Sequence, residues 1–218
     1  FGDSLCGKTL ALIGTVVNDT AIMMGGKSDY CPASTVSLCE GVQARAAAGG
    51  VTVTCTDAGG GPDFTDADAV TIAEAVAAAD VVVLTVGGIF GHEQQDRTNI
   101  SLPAAQILLV RQAVAQAAHG KVVLMVVNGD PIALDGIKDM VPAVVDVFEG
   151  GQAAGTAAAE MLFGDYSPSG MLPFTIYPDD FVTKVKMSDM TMRANVTTGS
   201  PGHTYIVFVF DLLVPSIT

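Results

Sequence analysis

Residues 80–103 read Asp-Val-Val-Val-Leu-Thr-Val-Gly-Gly-Ile-Phe-Gly-His-Glu-Gln-Gln-Asp-Arg-Thr-Asn-Ile-Ser-Leu-Pro, and this stretch decides the fold. A valine-rich run without alternation is the pattern of a strand buried on both faces, as in a parallel sheet covered by helices. The run stops at Gly87-Gly88. A short loop then presents His92, Glu93, Asp96 and Arg97 before Leu102-Pro103 opens a helix. Only 15% of the chain is charged, against roughly 25% in an average soluble domain. Ionisable groups crowded at a strand end therefore mark a candidate site, because open α/β sheets bind ligands beyond the carboxyl ends of their strands.

The same alternation recurs on both sides. Strand patterns lie at 8–14, 51–55, 80–86, 121–128 and 144–148. Helix patterns lie at 33–48, with Ser34 or Thr35 as N-cap, and at 66–79, with Thr65 as N-cap and Asp68 near the positive end of the dipole. Further helices are expected at 102–119 and 152–163, and a short helical segment at 132–139. Valine-rich strands alternating with helices predict an α/β fold: a doubly wound, mostly parallel sheet in a three-layer α/β/α sandwich. The expected organisation is an N-terminal extension at 1–7, the sandwich at 8–178, and an irregular extension at 179–218. Residues 171–177 read as an extended segment. Residues 205–213 read as an apolar strand able to pair at a sheet edge or with a neighbour.

Composition narrows the function. A net charge of −13 with ten basic residues argues against nucleic acid and anionic membranes, since phosphate binding rests on lysine and arginine. The apolar runs at 81–86, 122–127 and 205–210 are far shorter than the roughly 18 residues of a membrane span. Three of the four asparagines sit in glycosylation sequons, at Asn18, Asn99 and Asn195, where chance would place roughly one in eight. Cys6, Cys31, Cys39 and Cys55 form no CxxC pair. One or two disulfides in a secreted, extracellular protein are expected in place of a metal site, and three pairings stay open. The chain begins at Phe1 and reads as a processed or truncated piece of something longer.

Neither Gly59-Gly-Gly-Pro62 nor Gly25-Gly26-Lys27-Ser28 has the spacing of a phosphate loop, and GxSxG and HExxH are absent. No cofactor is implied. Glu93 follows Ile89 and Phe90, and an apolar setting raises a carboxyl pKa towards that of a proton donor. The plainer alternative is that Glu93 pairs with Arg97 on a solvated loop. Asp96 and Arg97 read as a loop-shaping ion pair.

A series of landmarks in order then carries a resemblance. Ala11-Leu-Ile-Gly14 is followed by a helix after Cys31-Pro32, by Ala79-Asp-Val-Val-Val-Leu-Thr-Val-Gly87, and by Asp96-Arg97 ahead of Leu102-Pro103. Next come Asn128-Gly-Asp-Pro131, Gly150-Gly-Gln-Ala-Ala-Gly155 and Leu162-Phe-Gly-Asp-Tyr-Ser-Pro-Ser-Gly170. Leu172-Pro-Phe-Thr175, Met187-Ser-Asp-Met-Thr-Met-Arg193 and Gly202-His-Thr-Tyr205 close the series. From residue 8 to 205 the chain resembles the C-terminal α/β-sandwich domain of glycoside hydrolase family 3, the β-glucosidases and β-xylosidases.

The resemblance implies a second domain of a secreted, exo-acting β-glycosidase. Glu93 would supply the acid/base and one wall of the site for a β-linked oligosaccharide or glycoside. The nucleophile would come from a (β/α)8 barrel, in the same chain or in trans, so the chain alone is expected to be inactive. Four departures frame the alternative, the first being a loop between Glu93 and Asp96 that is shorter than the family leads one to expect. Met171 stands where the family usually has lysine or arginine, His203 where it has arginine, and the tail from Tyr205 lacks the family's glycine-rich aromatic ending. That alternative is a catalytically inactive, glycosylated extracellular structural protein, self-assembling through its apolar tail in a cell wall or filament.

Overall fold

The computed structural model describes residues 5–25, 32–59, 63–88, 97–117, 121–186, 188–195 and 197–203. Five strands form one sheet: β1 Thr9–Gly14, β2 Thr52–Asp57, β3 Val81–Gly87, β4 Val122–Val127 and β5 Ala143–Asp146. All pair in parallel in the order β2-β1-β3-β4-β5. The chain reverses its direction of winding between β1 and β3, which makes their carboxyl ends the topological switch point.

Every residue of β3 and β4 is buried, as the unalternating valine runs require. Period-two alternation sorts their side chains to opposite faces. Leu10, Leu12, Val83, Met125 and Val127 meet α2 (Leu38–Ala48) and α5 (Ala154–Phe163) on one face, together with the short α1 (Thr20–Met23). Ala11, Ile13, Val82, Leu84, Val86, Leu124 and Val126 meet α3 (Asp66–Ala77) and α4 (Ala104–Gln116) on the other. The result is the expected three-layer sandwich. No helix among the described residues is long and apolar enough to cross a membrane.

Helix starts follow caps where caps are free to act. Thr65 caps α3 in a reciprocal box with Asp68, as its sequence predicts. Helix α2 starts at Leu38, not at 33. Ser37 accepts from the Glu40 amide at 3.2 Å, and Glu40 accepts from the Ser37 amide at 2.9 Å. Val36 is engaged elsewhere: its N–H donates to Gln152 O, and its carbonyl accepts from the Gly155 N–H. Pairing with the chain entering α5 thus outcompetes a cap at Ser34 or Thr35.

Other expectations need correction. The helical segment at 132–139 reduces to a 3₁₀ turn at Lys138–Met140. The Ala133 N–H is drawn into a bond with Ile100 O, and Gly136 takes a positive φ of 71°. The fifth strand ends at Asp146 and does not reach 148, because Phe148 sits at φ 53° and its N–H turns back to the Asp146 carboxylate at 3.1 Å. Residues 171–177 form no strand. Phe174 instead packs edge-on against Phe148, ring centres 5.9 Å apart. A short helix α6 (Phe181–Lys184) follows, and Phe181 stacks on Tyr177 at 3.9 Å. The apolar segment at 205–213 lies outside the described residues.

Cysteine pairing is resolved among the three possibilities. Cys39 of α2 is bonded to Cys55 of β2, which ties a covering helix to an edge strand. Cys6 is an exposed thiol, and Cys31 lies outside the described residues.

Candidate functional site

The carboxyl ends of the strands form one rim of the molecule, and the candidate loop leaves from its centre. Asp80 anchors the opposite, amino-terminal end of β3. Its carboxylate accepts from the Thr9 N–H at 3.0 Å and the Thr9 hydroxyl at 3.1 Å, which holds it below the ordinary aspartate range. At the carboxyl end, Gly87 and Gly88 have φ of 129° and 149°. A Cβ on Gly87 would overlap the Val127 carbonyl, so no other residue fits there without moving β4.

His92, Glu93 and Asp96 lie outside the described residues; Arg97 is where the chain resumes. Its Nη2 donates to Pro131 O at 3.2 Å, so the guanidinium holds the loop exit against the turn Asn128-Gly-Asp-Pro131. Farther on, Asn99 Oδ1 accepts from the Ser101 N–H at 2.6 Å, and Ser101 bridges in parallel to Ala133. An open groove of about 580 Å³ adjoins this exit, lined by Arg97, Asn99, Ser101, Pro103 and Ile107 among others.

Two residues at the rim escaped sequence reasoning as site elements. Gln106 is 5% exposed on α4, and both ends of its carboxamide bond Gly87: the Gly87 N–H donates to Oε1 and Nε2 donates to Gly87 O, each at 2.8 Å. The available signal was a polar residue within the apolar stripe of Leu102, Ala105, Leu109 and Val110. Asn128 is 1% exposed; its Nδ2 donates to Asp130 O, which tightens the turn after β4. It is the one asparagine outside a sequon.

The rim is acidic. Asp57 at the end of β2 is raised above the ordinary carboxyl range by partial burial and by Asp19. Glu149 sits against Gly25 and Gly129, and a Cβ at either glycine would collide with its carboxylate. Asp146, at the end of β5, is pushed up to about 6 by burial, offset in part by the bond it accepts from Phe148.

A carboxyl whose folded value lies above its unfolded value near 3.9 binds more protons when folded between about pH 4 and 6. Its contribution therefore falls as pH rises through that window. Asp146→Asn is expected to match the parent near pH 4 and to exceed it in stability at pH 7 by about 2 kcal/mol. Urea midpoints at both pH values check this; an equal difference at the two would refute the burial argument.

The three sequon asparagines, Asn18, Asn99 and Asn195, are all exposed and lie outside the helices and the sheet.

Known proteins match this architecture. The model of the glycosyl hydrolase family 3 C-terminal domain fits residues 6–214. Beta-xylosidase/alpha-L-arabinofuranosidase 1 of Medicago sativa subsp. varia is 37% identical over 204 residues, covering 91% of this chain and 25% of that protein. Beta-D-xylosidase 3 of Arabidopsis thaliana is 37% identical over 205 residues, with the same coverage of each. Among solved structures, a GH3 exo-beta-xylosidase (XlnD) in complex with a xylobiose aziridine activity-based probe superposes with a TM-score of 0.78 at 26% identity. That match covers 91% of this chain and 25% of its own. A beta-glucosidase from Listeria innocua gives 0.67 at 27% identity, covering 79% and 23%. This chain thus spans about a quarter of the length of the relatives it matches. It belongs to glycoside hydrolase family 3, and the part of that family's architecture it represents is the C-terminal domain.

Proposed function

We propose that this chain is the acid/base-supplying domain of a secreted, exo-acting β-glycosidase of the β-xylosidase or β-glucosidase type. The observation that supports this reading is where the two ends of the segment holding Glu93 lie. That segment departs from Gly87-Gly88 at the carboxyl end of the central strand and returns through Arg97, held against Pro131. Glu93 protonates the glycosidic oxygen as the bond breaks and then, as a carboxylate, activates the water that completes hydrolysis.

A retaining mechanism needs a second carboxylate about 5 to 5.5 Å away as nucleophile. That group belongs to the (β/α)8 barrel, within the three-quarters of the relatives' length that this chain does not span. Exposed sequons and a disulfide support passage through an oxidising, glycosylating compartment.

The test compares the chain alone with the chain joined to the rest of the Medicago relative, in place of that protein's matched quarter, on nitrophenyl β-xyloside and β-glucoside. The joined protein is expected to release nitrophenol and the isolated chain to release none. Turnover by the isolated chain, abolished by Glu93→Gln, would show that it holds both carboxylates and would refute the need for a barrel.

A further inference from the structure

At the switch point, β3 runs two residues beyond the end of β1. The last pair between them is Gly14 with Thr85. Beyond Gly14 the chain leaves the sheet towards α2, where Val17 O accepts from the Cys39 N–H at 3.0 Å. Strand β3 continues to Gly87, paired with Val127 of β4. The Gly88 N–H donates to Val127 O at 3.0 Å, so residue 88 faces β4. By the alternation of a strand backbone, residue 87 faces the opposite side, where β1 has already gone. Among the described residues the Gly87 N–H and C=O thus have no strand partner on that side, a costly arrangement unless something else pairs them.

Gln106 fills that gap. Its side chain reaches from α4 into the slot, and its carboxamide does what the next peptide of β1 would have done: accept from the Gly87 N–H and donate to its carbonyl, both at 2.8 Å. The orientation of the final peptide of β3 is therefore set by a side chain. Gly87 also lacks a side chain of its own to resist rotation, and its φ of 129° is open to glycine. Arg97 secures the other end of the same loop through Pro131. Gln106 grips both backbone groups of Gly87.

We propose that Gln106 is a positioning residue for glycoside cleavage: by clamping the Gly87 peptide it sets the direction in which the chain leaves β3, and so the distance of the acid/base from the glycosidic oxygen. This rests on the reading of Glu93 as acid/base. Gln106 touches no substrate and acts through the backbone. Displacing a catalytic group by about 1 Å costs on the order of 100-fold in rate, so losing both bonds at the loop root has a large effect on proton transfer and a small one on sugar binding.

The experiment uses the barrel-joined protein described above, with two xylosides. Dinitrophenyl β-xyloside departs without protonation, whereas xylobiose needs the acid. Gln106→Met keeps the volume and removes both bonds. It is expected to lower kcat/KM on xylobiose by about 10- to 100-fold, with kcat/KM on the dinitrophenyl substrate within about threefold, because kcat/KM reports the bond-breaking step and leaves out the later step in which Glu93 acts as base.

Gln106→Glu retains the acceptor and, once its buried carboxyl is protonated, the donor too. Its ratio of kcat/KM on xylobiose to kcat/KM on the dinitrophenyl substrate is expected to recover relative to the parent as the pH is lowered. Equal losses on both substrates, or none on either, would overturn the proposal. If Gln106→Met does not fold, the pH profile of Gln106→Glu decides: a flat ratio overturns it.

Glu93→Ala is run in parallel. If Glu93→Ala loses kcat/KM selectively on xylobiose and the Gln106 variants do not, the Gln106 proposal alone falls. If Glu93→Ala shows no such selectivity, the acid/base reading falls and takes this proposal with it.

Discussion

Gly155→Ala and Gly41→Ala are each expected to lower unfolding stability by at least about 3 kcal/mol, and the corresponding valine variants to abolish cooperative folding. Both glycines are buried where α2 crosses α5. A Cβ on Gly41 would overlap the carbonyl of Gly155, and a Cβ on Gly155 would overlap the carbonyls of Ser37 and Val36. The obstructing atoms are backbone in every case, so no rotamer change relieves the collision. The two helices must separate, opening the layer formed by Leu38, Val42, Ala158 and Leu162.

Overpacking by a methyl group against side chains costs about 1–3 kcal/mol, and backbone obstacles place this case at or beyond the upper end. The sign is diagnostic, because alanine in an open helix position gains nearly 1 kcal/mol over glycine. Gly170→Ala, in an exposed loop with open space around the added atom, serves as the control and is expected within about 0.5 kcal/mol of the parent. Urea unfolding followed by circular dichroism measures all five. A Gly155→Ala variant as stable as the parent would mean that α2 and α5 do not cross in contact.

Reduction of the Cys39–Cys55 bond is the second large effect. The bridge closes a sequence separation of 16 residues, and a loop of that length is worth about 3 kcal/mol through the entropy it removes from the unfolded chain. For a domain whose total stability is of order 5–15 kcal/mol, that is a substantial fraction. The double variant Cys39→Ala/Cys55→Ala is expected to melt well below the oxidised parent and to be insensitive to dithiothreitol. The parent should fall to nearly the same point when reduced. Alanine is preferred at position 39 because that side chain is buried and a serine hydroxyl would lack a partner. If reductant leaves the melting temperature unchanged, the bond is not formed in solution, and the case for an oxidising compartment loses its structural support.

Much of the fold is written in local patterns. The runs Val81–Gly87 and Val122–Val127 read as strands covered on both faces, and both are buried throughout. Thr65 with Asp68 announces α3 because both halves of its cap lie within four residues. The landmarks quoted above led to the family because they span the whole sandwich in order. Errors arose where a local signal met a distant competitor. Ser34 and Thr35 are acceptable caps, yet Val36 beside them is bonded to Gln152 and Gly155, more than a hundred residues away. Phe148 reads as a strand residue, but the turn back to Asp146 holds it at positive φ, with its ring against Phe174.

The site divides along the same line. Strand identity and the glycine pair that ends β3 follow from periodicity and residue type, because those act over a few neighbours on the chain. The choice of Cys55 as the partner of Cys39, the backbone contact of Gly41 with Gly155, and the grip of Gln106 on Gly87 required the assembled layers. Each joins groups brought together by parallel crossovers, and pattern carries no distance information across a crossover. A lone glutamine in an apolar stripe shows that a polar partner must exist; only where β1 stops relative to β3 shows that the partner is a peptide.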